Sequence, residues 1–308
     1  MGMKGEDVVS LLQTALEELN INVKVEALVN DTPGTMFAGA YKNPKVAAGL
    51  ILGTGTNLCF PQRVAQAPKL QDKRPYQKLP SVVTWRTAPY CGLHDQHIVN
   101  TEWGGFGDGR AAESLPVCEY DKQLDANSVN PGEHLYEKMI GGMFLGELTR
   151  LVAADLIKQG KLFAFNAGLG NTLESFLTPW GFNTEAMSKF EACRGYKEAR
   201  AILQGVGVDD AQKADIDLLR AVCVAVSDRA ARLAAAGLAA VAVHLEKERD
   251  CLVAVDGTLY AKYPNFEKRM LRCLRELLGA GMGVRFQPAE DGSGVGAALA
   301  AAAAVAGR

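Results

Sequence analysis

Asp31 stands in the run Asn30-Asp31-Thr32-Pro33-Gly34-Thr35, directly after an alternating apolar stretch. There a carboxylate can project from the end of a strand into a cleft; the plainer role is an Asp cap for a helix beginning near Thr35. Two further carboxylates lie in apolar settings, Glu102 between Thr101 and Trp103 and Glu137 beside Tyr136. Such a group needs a partner, and sugar hydroxyls, a lysine or an arginine would each serve. Three segments end in Gly/Thr/Ser turns: Gly53-Thr54-Gly55-Thr56-Asn57, Asp256-Gly257-Thr258 and Gly292-Ser293-Gly294-Val295-Gly296. Glycine lets the backbone approach a phosphate, while hydroxyls and free N–H groups supply donors. The last turn precedes a helix, whose N-terminus suits an anion. One such turn is explained as well by a tight bend; three in one chain favour a nucleotide clamp. A dinucleotide fingerprint at Gly292, Gly294 and Ala297 fails, because only eleven residues follow Ala297 and none is acidic. Cys91, His94 and His97 have the spacing of a zinc clamp but lack a convincing fourth ligand, so exposed loop residues are the better reading.

The elements that must position these groups follow from composition and periodicity. The 308 residues are 48% hydrophobic and 22% charged, enough for a sizeable core and too apolar for disorder. A net charge of −2 provides no global basic field for nucleic acid or an anionic membrane. No apolar run reaches the length of a membrane span. The N-terminus turns charged at once, without a signal-peptide core, so the chain reads as cytoplasmic. The seven cysteines contain no C-x-x-C and read as small buried hydrophobes rather than a disulfide framework.

Helical spacing covers residues 7–19, 131–157 and 211–245, an amphipathic helix covers 266–278, and two helices are expected between 184 and 204. Strands are predicted at 23–29, 46–52, 98–103, 251–255 and 284–286. Residues 61–97 hold no period and read as a long surface insertion. The last glycine turn is expected to lead into an Ala-rich final helix. Strands alternating with helices make the fold class α/β.

Six blocks, in order, resemble the successive signatures of hexokinases. They are Asn30-Asp31-Thr32-Pro33-Gly34-Thr35-Met36, Leu52-Gly53-Thr54-Gly55-Thr56-Asn57, Asn100-Thr101-Glu102-Trp103-Gly104-Gly105-Phe106-Gly107, Tyr136-Glu137-Lys138-Met139-Ile140-Gly141-Gly142, Val255-Asp256-Gly257-Thr258-Leu259-Tyr260 and Glu290-Asp291-Gly292-Ser293-Gly294. The resemblance implies an actin-like ATPase (ribonuclease-H-like) fold with two lobes around a cleft. Residues 1–29 would be a helix-plus-strand remnant of the small lobe, and 30–308 the large lobe. It implies ATP and Mg²⁺ as cofactors and glucose or a similar hexose as substrate, with Asp31 the base for the 6-hydroxyl. Asn30, Asn57, Glu102 and Glu137 match residues that bond the other hydroxyls. At His134, a further match on the sugar side, the family commonly has Gln. Thr54, Asp256, Gly257 and Thr258 match phosphate-side contacts, Gly292 and Ser293 lie near the adenosine, and Gly142, Thr184 and Ser188 match further nucleotide contacts.

The family's upstream Asp-Leu-Gly-Gly-Thr phosphate loop and lysine-bearing sugar loop do not occur in this sequence. Two readings therefore stand. One is a hexokinase, or a fragment of a longer one. The other is a catalytically weak or inactive hexokinase-like protein that binds sugar, nucleotide or a partner through the incomplete small lobe.

Overall fold

The computed structural model describes residues 7–63, 96–168 and 173–306. The strands are β1 Val46–Leu52, β2 Thr56–Arg63, β3 Gln96–Asn100, β4 Cys251–Asp256 and β5 Val284–Pro288. They form one five-stranded sheet of order β3-β2-β1-β4-β5. β1, β4 and β5 run parallel, and β2 pairs antiparallel with both β1 and β3. The helices used below are α1 Val8–Glu18, α2 Asp31–Lys42, α3 Glu119–Ala126, α4 Leu135–Ile140, α5 Gly142–Lys158, α6 Thr184–Ala192, α7 Tyr196–Gly205, α8 Lys213–His244, α9 Thr258–Lys262, α10 Phe266–Leu278 and α11 Gly292–Ala306.

Side-chain alternation divides the sheet between two cores. Leu50, Leu52, Leu58, Phe60, Val253 and Val255 face the larger core, shared with helices that include α4, α5, α8 and α10. Val46, Cys59, Leu252 and Ala254 face a smaller one with Met36 and Ala40 of α2, and α2 in turn packs on α11. Gly49 is what lets α2 lie this close to β1. A Cβ there would sit 2.7 Å from the Met36 Cβ and 2.8 Å from the Thr32 carbonyl.

On the far side, a buried ionic cluster joins three helices. Glu191 of α6 accepts from Arg269 of α10 at 2.6 Å, from Ser227 of α8 at 2.8 Å and from the Tyr263 hydroxyl at 2.9 Å. Burial, with the Glu191 charge beside it, pushes the Tyr263 phenol well above its usual range.

Several expectations hold in outline. α1, α6, α7, α8 and α10 fall where the periodicity put them, as do β1, β4 and β5. Others are corrected. No strand forms over residues 23–29. A strand requires a neighbouring ladder, and among the described residues this segment joins none; the Gln13 side chain bonds its backbone instead, to Val23 O at 3.3 Å and Val25 N at 2.9 Å. The single helix expected over 131–157 is two, α4 and α5, broken at Gly141, whose ψ is 140°. The strand expected over 98–103 ends at Asn100. The last glycines are not a turn before a helix but the first turn of α11 itself.

β2 was not expected beyond its opening turn, and it runs through Pro61 to Arg63. Proline is tolerated because the register with β1 ends at Gly49 opposite Cys59. The irregular segment is thus flanked by β2 and β3, and its residues 64–95, with Cys91 and His94 of the conceivable zinc clamp, lie outside the described residues. His97 is in β3, opposite Gln62. No group of three or more His, Cys, Asp or Glu among the described residues could hold a metal, and no described helix is long and apolar enough to cross a membrane. Cys59, Cys118, Cys193, Cys223, Cys251 and Cys273 are free thiols.

Replacing Glu191 by Ala would strand the Arg269 guanidinium in the core. The expected loss is about 3 kcal/mol, toward the low end for a broken buried pair, because Asp228 remains 3.8 Å from Arg269 Nε. Urea unfolding midpoints measure it, and a loss too small to detect would show that water reaches Arg269.

Candidate active site

The parallel strands β1, β4 and β5 point the same way, so their C-terminal ends open along one edge of the sheet, where open α/β sheets bind ligands. All three glycine turns lie there. Gly53 N–H closes on Gly55 O at 3.0 Å, a tight bend that exposes Thr54. Asp256, at the end of β4, accepts from Gly257 N at 2.7 Å and from Gly292 N at 3.0 Å, so one carboxylate joins the second turn to the N-terminus of α11. Gly257 has φ +119°, and a Cβ there would be driven into the Leu52 carbonyl. Only glycine fits that position, which places the β1 and β4 turns against each other.

The break at Gly141 belongs to this construction. Gly142 N–H bonds Gly53 O at 2.8 Å and Met143 N–H bonds Thr54 O at 3.0 Å. Two N–H groups that a helix start leaves unpaired are satisfied by the first glycine turn. Gly142 therefore stands beside that turn with its amide already used within the protein. Thr184, also expected on the nucleotide side, accepts from Gly146 N at 2.8 Å and so links α6 to α5. Ser188 follows on α6, half-buried. Thr258 and Ser293 stand in the first turns of α9 and α11.

Asp31 is not at a strand exit. It is the first residue of α2, capped by Asn30, whose Oδ1 accepts from Thr32 N at 3.0 Å. The residue that caps is Asn30, one before the position the sequence suggested, which leaves the Asp31 carboxylate exposed at the helix N-terminus, where the helix dipole favours an anion. Asp31 lies near β2. Burial pushes the Cys59 thiol far up, and the Asp31 charge adds to that push.

The predicted sugar-side groups come together around β2, α4 and the turn after β3. Glu137 Oε2 accepts from Thr56 N at 2.9 Å, and a Cβ on Gly55 would lie 2.8 Å from that oxygen. Asn57 Nδ2 donates to Glu102 Oε1 at 3.1 Å and to Asn100 Oδ1 at 2.8 Å. His134 has φ +56° and borders the same space, its Nδ1 3.4 Å from where a Cβ on Gly104 would be. Trp103 Nε1 donates to Thr56 Oγ1 at 2.9 Å and braces the wall.

Two residues were missed on the sequence alone. Asp108 accepts from His134 N at 2.9 Å and Leu135 N at 3.1 Å, capping the helix that carries Glu137. Asn100 bonds both Asn57 and Glu102. Asn100 lies within a motif block that pointed here, whereas a cap reaching 26 residues along the chain leaves no trace in local spacing.

Comparison with known proteins points to one family. Family models described as hexokinase match residues 47–303 and 1–41. The human hexokinase HKDC1 is 38% identical over 311 residues, covering 98% of this chain and 30% of that protein. Chloroplastic hexokinase-2 of Nicotiana tabacum is 36% identical over 317 residues, covering 98% of this chain and 58% of that protein. This chain thus spans less than two thirds of either relative. Among solved structures, a hexokinase from Schistosoma mansoni complexed with glucose superposes with a TM-score of 0.80 at 33% identity, covering 97% of this chain and 62% of that one. The sheet and its flanking helices have the actin-like ATPase fold. With a hexokinase model matching most of its length, the chain belongs to the hexokinase family.

Proposed function

We propose that this chain carries the large-lobe machinery of an ATP-dependent hexokinase, with Asp31 as the base that takes the proton from the 6-hydroxyl of glucose or a similar hexose. The observation that carries the reading is the convergence of the acid–amide cluster Asn57, Glu102 and Glu137 with three glycine turns at one end of the sheet. Carboxylates accept while amides both donate and accept, so such a cluster reads several hydroxyls at once. A sugar lacking one hydroxyl leaves a buried partner unpaired, which is how the site would discriminate.

The turns suit a polyphosphate. Thr54, Thr258 and Ser293 offer hydroxyl donors, the last two at helix starts, while Gly53, Gly257 and Gly292, whose N–H groups are taken within the protein, let the backbone come close. Mg²⁺ would be carried on phosphate oxygens and water with one carboxylate rather than caged by protein, and Asp256, between the second turn and the start of α11, would be that carboxylate. Bound Mg²⁺–ATP supplies the phosphoryl group and the charge neutralisation on which such transfers mainly depend. The chain's own contribution is orientation: Glu102 and Glu137 accept from the sugar, Asn57 aligns Glu102 and offers its remaining oxygen lone pair, and Asp31 receives the proton as the hydroxyl oxygen attacks.

A second reading has its own support. α1 buries none of its residues, and Val8, Leu11, Leu12, Leu19, Ile21, Val23 and Leu28 are exposed. An apolar surface of this kind marks an unmade contact. On this reading the 308 residues bind sugar and nucleotide but turn over poorly alone.

In a coupled assay with glucose and Mg²⁺–ATP, Asp31→Ala is expected to lower the rate about 10² to 10⁴-fold while calorimetry still detects glucose. Equal rates for both proteins, with sugar binding intact, would establish the second reading instead. Gly257→Ala is expected to destabilise the fold by about 1–3 kcal/mol and to weaken ATP binding more than glucose binding. Parallel titrations of the two ligands check this, and equal weakening of both would remove Gly257 from the nucleotide side.

A further inference from the structure

Asn57, Asn100 and Glu102 form a closed triangle of hydrogen bonds. Asn57 Nδ2 donates to Asn100 Oδ1 at 2.8 Å and to Glu102 Oε1 at 3.1 Å, and Asn100 Nδ2 donates to the same Glu102 oxygen at 2.6 Å. Asn57 Oδ1 is taken by Leu58 N at 2.8 Å. Both donors of the Asn57 amide are therefore engaged within the protein, as is one oxygen of Glu102, which accepts two N–H groups.

The backbone explains why a brace is needed. Glu102 sits at φ +47° and ψ +46°, the left-handed region, where a residue with a long side chain is uncommon and persists only if its surroundings hold it. Its own residue forms no side-chain cap on the short helical turn that follows, so the cap cannot fix the carboxylate. Asn100 can. It is the last residue of β3, fixed by its register opposite Cys59, and Thr101 between it and Glu102 is held by two bonds to Leu58 O, at 3.0 Å from its N–H and 2.7 Å from its hydroxyl. The rigid strand end thus carries a donor aimed at Glu102 from two residues away.

The geometry points to Asn100 as a positioning residue for sugar recognition, one that occupies Glu102 Oε1 and so presents Oε2 to a substrate hydroxyl. It touches Glu102 and Asn57, and it acts through them. The inference rests on the sugar-site reading above and adds to it which oxygen of Glu102 is left free and what holds it. Losing a hydrogen bond to a charged group should cost about ten- to a hundredfold in glucose affinity.

A double-mutant cycle tests this by calorimetric glucose binding to the full chain, with Asn100→Ala, Glu102→Gln and the two combined. The expected result is that Asn100→Ala weakens binding about ten- to a hundredfold alone and adds little once Glu102 is Gln, since groups acting as a unit are not additive. Additive losses would overturn the positioning role, because a merely structural asparagine costs the same in either background. Asn100→Asp keeps the shape and still accepts from Asn57 but offers Glu102 no N–H, and it should bind glucose at least as weakly as Asn100→Ala. Wild-type affinity in Asn100→Asp also overturns the proposal. A wild-type chain that binds no glucose overturns the sugar-site reading, and the role of Asn100 with it; binding with additive losses overturns the role of Asn100 alone.

Discussion

Two backbone hydrogen bonds, from Gly142 N–H to Gly53 O and from Met143 N–H to Thr54 O, hold the two halves of the site in one frame. They exist because the helical run breaks at Gly141, and the break frees the first amides of α5 to seek partners outside the helix. The glycine turn at the end of β1 thereby becomes the cap of α5. The same break ends α4 one turn after Glu137, whose carboxylate reaches back to Thr56 N on the other limb of that turn. Glu137 and the start of α5 are therefore fixed to a single bend of backbone, and neither can shift without the other.

The rest of the edge is built by close approach. Asp256 draws the β4 turn to the start of α11, and Gly257 presses that turn against the end of β1, where no larger residue fits. Gly49 lets α2 settle on the sheet until its N-terminus stands at the same edge, and Asn30 satisfies the cap so that Asp31 is left free of that task. Small residues at these contacts trade local conformational entropy for short distances between reactive groups, a trade that makes sense where positioning is the protein's main contribution to chemistry.

The described N-terminal segment follows a different logic. α1 has its Asp7 cap and a regular apolar stripe, so local preference suffices to form it, yet it buries no residue. Residues 23–29 have the alternation of a strand but pair with no strand among the described residues, and the backbone stays unladdered, bonded by the Gln13 side chain at Val23 and Val25. Local pattern and tertiary partner are separate requirements: the helix meets its hydrogen bonds internally, whereas a strand cannot.

The sequence by itself determined the α/β class, most of the helices, the positions of β1, β4 and β5 and the order of the motif blocks, because periodicity and glycine punctuation are local properties that survive folding. It also showed which carboxylates would need partners. Only the tertiary structure decided who those partners are. Asp108 capping α4 from 26 residues away, Asn100 bracing Glu102, the break at Gly141 and the fate of residues 23–29 each depend on a group far along the chain or on the lack of one among the described residues. Hydrogen bonds are short and directional, so which of several equivalent donors meets a given acceptor is settled by packing at the scale of an ångström, a scale that residue spacing does not encode.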